Sequence, residues 1–550
     1  MVTDDKATQI VLSLLKQYGV KKIIVSPGTT NVPISRYVQF DPFFEVYSIV
    51  DERSAAYVAC GLSFASGEPV AISCTGATAS RNYLPGLTEA FYRNLPVIAI
   101  TSQHHSPLHL DFSPQVTDRT ISQNDVKRFA ALLPLVKDEE DCRICTQLVN
   151  IALQRTVIKG GGPVHINIPV AKMYSFKSKE LPEYPKIDYY NSENFPASKL
   201  SKELSGKKIG VFIGSHKPFS KDTLNAISEF AVAYDAAVFY DNTSCYNGKN
   251  RVLTSVISGL LQSGNKPDII IDIGSVSGDY TATPLFKDRP TWRISEDGLY
   301  MNRQNVQKLQ KVFECSETMF FKTLAQYGSS SGYYQKLEKE VEKIKIPHMP
   351  FSNIYVASKL SSEIPKNSFL HLGILNSLRS MDFFELNKSV VSSSNVGGFG
   401  IDGAVSTTVG QALADKERLS FCVVGDLAFF YDMNILGARD FPKNVRIMLV
   451  NNSIGAEFRL NQTLEKLWGT DTNQLIAAAG HFGSAKLWAE SMGLKYLTAS
   501  TKEEFDKNLS TFCDSKHDSS VVFEVFTKVE DEQTALSNIR NINAPIVKTY

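Results

Sequence analysis

Short apolar runs of strand length alternate with longer segments of mixed polarity along this 550-residue chain. That alternation predicts βα units and parallel sheets. Thr8 to Tyr18 reads as a helix and Lys22 to Ser26 as a strand closed by the turn Pro27-Gly28. Val70 to Ser73, Val97 to Thr101 and Pro163 to Ile168 read as further strands. A stretch rich in Pro, Lys and Tyr, Leu181 to Tyr190, then reads as a linker. The same grammar resumes with strands at Lys208 to Ile213, Ala237 to Tyr240 and Asp268 to Ile273. A polar, Lys- and Glu-rich helix, Tyr334 to Lys345, bridges to a last block with strands Phe421 to Val424, Arg446 to Val450 and Ser520 to Phe526. The predicted fold class is α/β: three doubly wound parallel-sheet domains over residues 1–185, 190–335 and 350–550. The chain is too long for one core, which agrees.

Composition narrows the function classes. The charges nearly cancel, at +1 overall, so no global basic field points to nucleic acid or to a membrane surface. The charged N-terminus and the polar breaks at Ser13, Lys16 and Gln17 do not form a signal peptide. No stretch has the length of a membrane span. The eight cysteines are scattered; Cys60, Cys74 and Cys422 lie in apolar segments, and Cys142 and Cys145 form a CxxC without a second pair. A reducing cytoplasm is the expected location. The middle block has the look of a small Rossmann-like unit, but Gly214-Ser215-His216-Lys217 lacks the GxGxxG spacing, so no dinucleotide is expected there.

The run Val423-Val424-Gly425-Asp426-Leu427-Ala428-Phe429-Phe430, with Val450-Asn451-Asn452 downstream, carries candidate chemistry. Gly-Asp closes one apolar strand and Asn-Asn another. Asp426 and Asn452 could therefore meet at adjacent strand ends, where open α/β sheets bind ligands. Magnesium prefers oxygen ligands, commonly one carboxylate with phosphates and water. Asp426, the Asn452 amide oxygen and the Ile454 carbonyl supply such a set, beside a diphosphate near Gly425 and Leu427. Standing alone, the same residues would serve as well as caps of ordinary helices.

Ser26-Pro27-Gly28, Asp51-Glu52-Arg53, Gly162 to Asn167, Gly400-Ile401-Asp402-Gly403 and this anchor together resemble the thiamine-diphosphate enzymes that make and break carbon–carbon bonds beside a carbonyl. Within them the likeness is to the menaquinone-pathway succinyl-enolpyruvyl-hydroxycyclohexene-carboxylate synthases. The resemblance implies thiamine diphosphate and Mg2+, and pyrimidine-binding, central and diphosphate-binding domains in that order. It gives Glu52 the role of the buried carboxylate that hydrogen-bonds the aminopyrimidine ring, so that the cofactor acts as its own base. Glu52 would equally suit a helix start. Ile401 takes the role of the aliphatic wedge that bends the cofactor. It further implies a homodimer or homotetramer with active sites between subunits.

Where those synthases surround two anionic substrates, 2-oxoglutarate and isochorismate, with arginines, this chain has other residues. Thr29-Thr30, Gln103-His104, Met381, Asn395-Val396-Gly397 and Asp279-Tyr280 stand at those positions. Losing several charge-assisted hydrogen bonds, each about 1.5–3 kcal/mol, implies a less anionic substrate pair. His104 and His105 follow a strand end, Gln115 matches a glutamine near the reacting carbon, and Asn376 with Ser377 matches a substrate-side pair. Arg459 is either a replacement cation or a solvated helix residue. The expected activity is decarboxylation of a 2-oxo acid donor and transfer of its acyl group to an acceptor, with Gln115 and His104 handling protons. The synthase reaction itself, a simple decarboxylase or lyase, and a non-catalytic binding subunit stay open. No flavin is expected.

Overall fold

The computed structural model describes residues 2–104, 114–118, 123–170, 175–279, 283–298, 300, 307–477, 480–515, 518–540 and 542. Three sheets carry the chain. The first holds β1 (Lys22–Val25), β2 (Glu45–Ser48), β3 (Val70–Thr75), β4 (Val97–His104), β5 (Phe129–Leu132) and β6 (Val164–Val170), in the order β2-β1-β3-β4-β6-β5. The second holds β7 (Asp188–Asn191), β8 (Ile209–Ile213), β9 (Ala237–Tyr240), β10 (Arg251–Leu253), β11 (Ile269–Ile273), β12 (Pro290–Ile294) and β13 (Lys308–Glu314), in the order β10-β9-β8-β11-β12-β13-β7. The third holds β14 (Phe369–Leu372), β15 (Val391–Ser394), β16 (Ser420–Gly425), β17 (Val445–Asn451), β18 (Lys495–Ala499) and β19 (Val521–Phe526), in the order β15-β14-β16-β17-β19-β18. Every pairing in the first and third sheets is parallel. The fold is α/β, with three domains. One compact unit is built on the first sheet and a second on the other two.

Parallel strands need helices on both faces, and their own residues become apolar throughout. β16 and β17 follow this rule over Phe421 to Val424 and Ile447 to Val450, which are apolar and buried; Arg446, also buried, is the exception, its guanidinium donating to the Val445 and Asp514 carbonyls. One face of the third sheet packs on Leu360, Phe505 and Phe512, the other on Val405, Val409 and Phe429. Helix starts are capped as their sequences imply: Ser352 accepts from the Tyr355 N–H, Asp51 from Arg53 and Thr501 from Glu504.

Two expectations are corrected here. Leu181 to Tyr190 is not a plain linker: Leu181 and Tyr184 pack on the first core, Ile187 is buried, and Tyr190 lies within β7. The bridging helix runs Tyr333–Val341 and stops short of Lys345. All eight cysteines are free thiols, so Cys142 and Cys145 form no disulfide. No helix among the described residues is long and apolar enough to cross a membrane.

Candidate active site

The cleft lies at the carboxyl ends of the third sheet. β16 and β17 are neighbours with Gly425 opposite Val450, so Asp426 and Asn452 leave the sheet side by side. Asp426 opens the helix Asp426–Asp432 and is 3% exposed. Its Oδ1 accepts the Leu427 N–H at 2.7 Å, and its Oδ2 accepts the Ser453 N–H at 2.7 Å. Burial pushes this carboxyl upward, against the pull of those N–H donors and of His481. Ser453 adopts a left-handed backbone with φ 66°, which turns the chain between Asn452 and Ile454. The Asn452 amide oxygen accepts the Ile454 N–H at 3.3 Å, and the Ile454 carbonyl accepts from Ala456 at 2.8 Å. Each keeps a second lone pair.

Asp426, Leu427, Asn452 and Ile454 line one 260 Å³ cavity with Gly425, Ile401, Asn376 and Ser377. Residues more than 70 positions apart in sequence thus line one cavity. Ile401 is 39% exposed, an unusual setting for isoleucine, between Phe399 at φ 54° and Gly403 at φ 72°. Leu375, immediately before Asn376, has φ 66° and ψ −116°, a conformation costly for a side chain with a Cβ. A Cβ placed on Gly425 would meet no atom, so the backbone there is open to a ligand.

The donors fit a hard divalent cation. Among the described residues no group of three or more His, Cys, Asp or Glu could hold a metal, whereas Asp426, Asn452 and Ile454, which carry a carboxylate, an amide and a backbone carbonyl oxygen, line one cavity. Arg379 is paired, with Arg540 close enough to feel both it and Glu457. Arg379 Nη1 and Nη2 each donate to Glu457 at 3.0 Å, and Nη1 also donates to Asn376 Oδ1 at 3.1 Å. Arg459 is neither a free replacement cation nor a solvated residue. It is 7% exposed, with Nε on Glu465 at 2.7 Å and Nη1 on Asn473 at 3.0 Å.

In the first sheet, Glu52 begins the helix Glu52–Ser66 and is half-buried in this chain rather than buried. Asn82 Nδ2 donates to its Oε2 at 3.4 Å. Thr30 is buried, with its hydroxyl on Thr75 and the Ser102 carbonyl; Thr29 is exposed at the start of a short 3-10 turn. His104 is the last residue of β4, opposite Val170, rather than a loop residue. Gln115 is exposed, with φ 66°. His105 lies outside the described residues.

Three residues at the cleft escape a reading of the sequence. His481 Nε2 lies 3.2 Å from Asp426 Oδ2. Glu524, buried in β19, accepts from Asn451 Nδ2 at 2.8 Å, from Ser484 Oγ at 2.6 Å and from Tyr496 at 2.7 Å, and so ties the His481 loop to β17. His371, in β14, lines the cavity; its Nδ1 meets Ser393 Oγ at 2.9 Å, and burial pushes its pKa down to about 4. Each is a lone polar residue in a strand or loop, with no motif around it.

The thiamine pyrophosphate enzyme N-terminal TPP-binding domain matches residues 5–125, and the C-terminal TPP-binding domain of the same enzymes matches residues 376–525. Glu52 falls in the first match, and the cleft residues from Asn376 to Ile454 fall in the second. With three parallel-sheet domains and an oxygen-lined cleft, the chain is a thiamine-diphosphate-dependent enzyme of carbon–carbon bond chemistry. Its full-length likeness is to enzymes named 2-succinyl-5-enolpyruvyl-6-hydroxy-3-cyclohexene-1-carboxylate synthase. That of Bacteroides fragilis is 28% identical over 100% of this chain and 99% of its own length. Those of Phocaeicola vulgatus (29%, 98% of both) and Flavobacterium psychrophilum (26%, 96% and 97%) are similar in the same way.

Proposed function

We infer that this enzyme decarboxylates a 2-oxo acid with thiamine diphosphate and Mg2+ and transfers the acyl group to an acceptor, its donor being less anionic than 2-oxoglutarate. The observation that carries the reading is the single cavity joining the oxygen set of Asp426, Asn452 and Ile454 to the exposed Ile401. Those three oxygens would hold the metal, the backbone from Gly425 to Leu427 the diphosphate, and Ile401 the bent cofactor. Glu52 would hold the aminopyrimidine through a hydrogen bond. The cofactor supplies the electron sink that stabilises an acyl carbanion equivalent. Gln115 and His104 would move substrate protons, and Thr29, Thr30, His105, Asn376 and Ser377 would line the substrate side.

The charge argument rests on pairing. Glu457 already neutralises Arg379, and Glu465 neutralises Arg459. Among the described residues the one cation left beside the Arg379 pair is Arg540, whose charge burial disfavours, so a donor with a second carboxylate would meet less positive charge here than several free arginines supply. Domains at 1–185, 190–335 and 350–550, a cytoplasmic location, and a homodimer or homotetramer with Glu52 facing a partner subunit's anchor complete the reading. The synthase reaction is the second reading, favoured by the full-length likeness to enzymes of that name.

The test is carbon dioxide release from pyruvate, 2-oxobutyrate, 2-oxoglutarate and phosphonopyruvate, with thiamine diphosphate and Mg2+, with and without acceptors. An acid other than 2-oxoglutarate should react, and Glu52→Gln should slow it by about 100-fold or more. Consumption of 2-oxoglutarate alone, with isochorismate, would return the synthase reading.

A further inference from the structure

His481 stands against the anchor carboxylate, and its hydrogen bonds assign its chemistry. The Gly483 N–H donates to Nδ1 at 3.0 Å. A backbone N–H can only donate, so Nδ1 is the acceptor and the ring proton sits on Nε2. Nε2–H then donates to Asp426 Oδ2 at 3.2 Å. The ring therefore offers no lone pair toward the anchor, which excludes it as a nitrogen ligand there.

The consequence falls on the carboxylate. Oδ2 accepts two donors, the Ser453 N–H and the His481 Nε2–H, which together occupy its lone pairs. Oδ1 accepts only the Leu427 N–H among the described residues and keeps one lone pair. The geometry points to His481 as a positioning residue that holds Asp426 so that Oδ1 alone faces the metal. This inference rests on the metal anchor proposed above.

The ring is itself held. The His481 N–H donates to the Ser453 carbonyl at 2.9 Å, so the same turn carries two donors to Oδ2. Phe430 packs edge-on against the imidazole, with centroids 5.2 Å apart. The Gly483 carbonyl accepts from Asn451 Nδ2 at 3.0 Å, and the Ala485 N–H donates to Glu524. A loop tied by Gly483 to β17, by Ser484 and Ala485 to β19 and by the His481 N–H to the Ser453 turn can orient a ligand, as outer-shell partners of metal ligands do.

The experiment is direct Mn2+ binding to the full-length protein with saturating thiamine diphosphate, read by the paramagnetic signal of free Mn2+. His481→Ala and His481→Phe should each weaken Mn2+ by about 10- to 100-fold, the usual loss when an outer-shell partner is removed. His481→Gln, whose Nε2 can occupy the place of the ring Nε2, should recover binding to within a few-fold of the wild type. His481→Phe keeps the packing on Phe430 and loses the Nε2–H donor together with the Nδ1 acceptor of the Gly483 N–H, whereas His481→Gln restores a donor, so equal weakening by Phe and Gln would overturn the inference, as would wild-type affinity in Phe. If the wild type binds no Mn2+ with thiamine diphosphate, the anchor reading itself fails, which is a distinct result.

Discussion

Asp426 is a carboxylate whose two oxygens have different surroundings, one closed by donors and one partly open, and that asymmetry suits a cation approaching from the cavity. Replacing it by alanine removes the one carboxylate of the donor set. Asp426→Ala should weaken thiamine diphosphate binding at saturating Mg2+ by more than the about 10- to 100-fold expected for an outer-shell change. Quenching of tryptophan fluorescence on cofactor addition checks this, and undiminished quenching would take Asp426 out of the metal site. Asp426 and Asn452 are readable from sequence because each ends an apolar run, and a polar residue at a strand end is a local signal. His481 is not readable. Its value comes from a loop that tertiary hydrogen bonds carry back to β17. Arg459 shows the opposite failure: a cation next to the anchor looks available until the fold buries it against Glu465.

The strands foreseen from apolar runs are inner or near-inner ones: β1, β3, β4 and β6, then β8, β9 and β11, then β16, β17 and β19. The six edge strands, β2, β5, β7, β10, β15 and β18, were not foreseen, nor were the inner strands β12, β13 and β14, where Arg293, Lys308, Gln310, Lys311 and His371 interrupt the apolar run. An edge strand pairs on one side only and needs less apolar surface; β2 is exposed throughout and β15 reads Val-Ser-Ser-Ser. Helices meet through equally unmarked contacts. Glu532, buried in the helix Val529–Arg540, accepts from the Asn353 N–H and Nδ2 at 3.0 Å and from Thr527 at 2.7 Å, and so ties that helix to the start of Asn353–Glu363. Burial pushes its pKa up to about 7, so the fold favours the protonated form. That stability is full below the ordinary glutamate value and is lost as pH rises through about 7, an effect of at most about 3 kcal/mol. Urea unfolding at pH 5 and pH 8 should show a smaller difference for Glu532→Gln than for the wild type; an unchanged difference would remove Glu532 as the source.

Large apolar side chains lie exposed in both compact units. Val50, Tyr57, Phe64 and Tyr92 are exposed in the first, around the helix that Glu52 begins; Leu475, Phe482 and Leu487 are exposed in the second. Exposed apolar surface of this kind marks interaction faces. Light scattering should return the mass of at least two chains. Phe64→Glu combined with Tyr92→Glu should yield a monomer that has lost decarboxylation, because Glu52 would then have no partner anchor. A fully active wild-type monomer would refute an active site shared between subunits.

The alternation of apolar and polar residues determined the α/β class, most of the inner strands and the anchor motif, because strand burial and strand-end chemistry act over a few neighbouring residues. Folding decided the pairing of Arg379 with Glu457, the loss of Arg459 to Glu465, the approach of His481 to Asp426 and the single cavity joining Ile401 to Asn452. Those depend on which residues distant in sequence are brought within hydrogen-bond reach, and no local pattern encodes that distance.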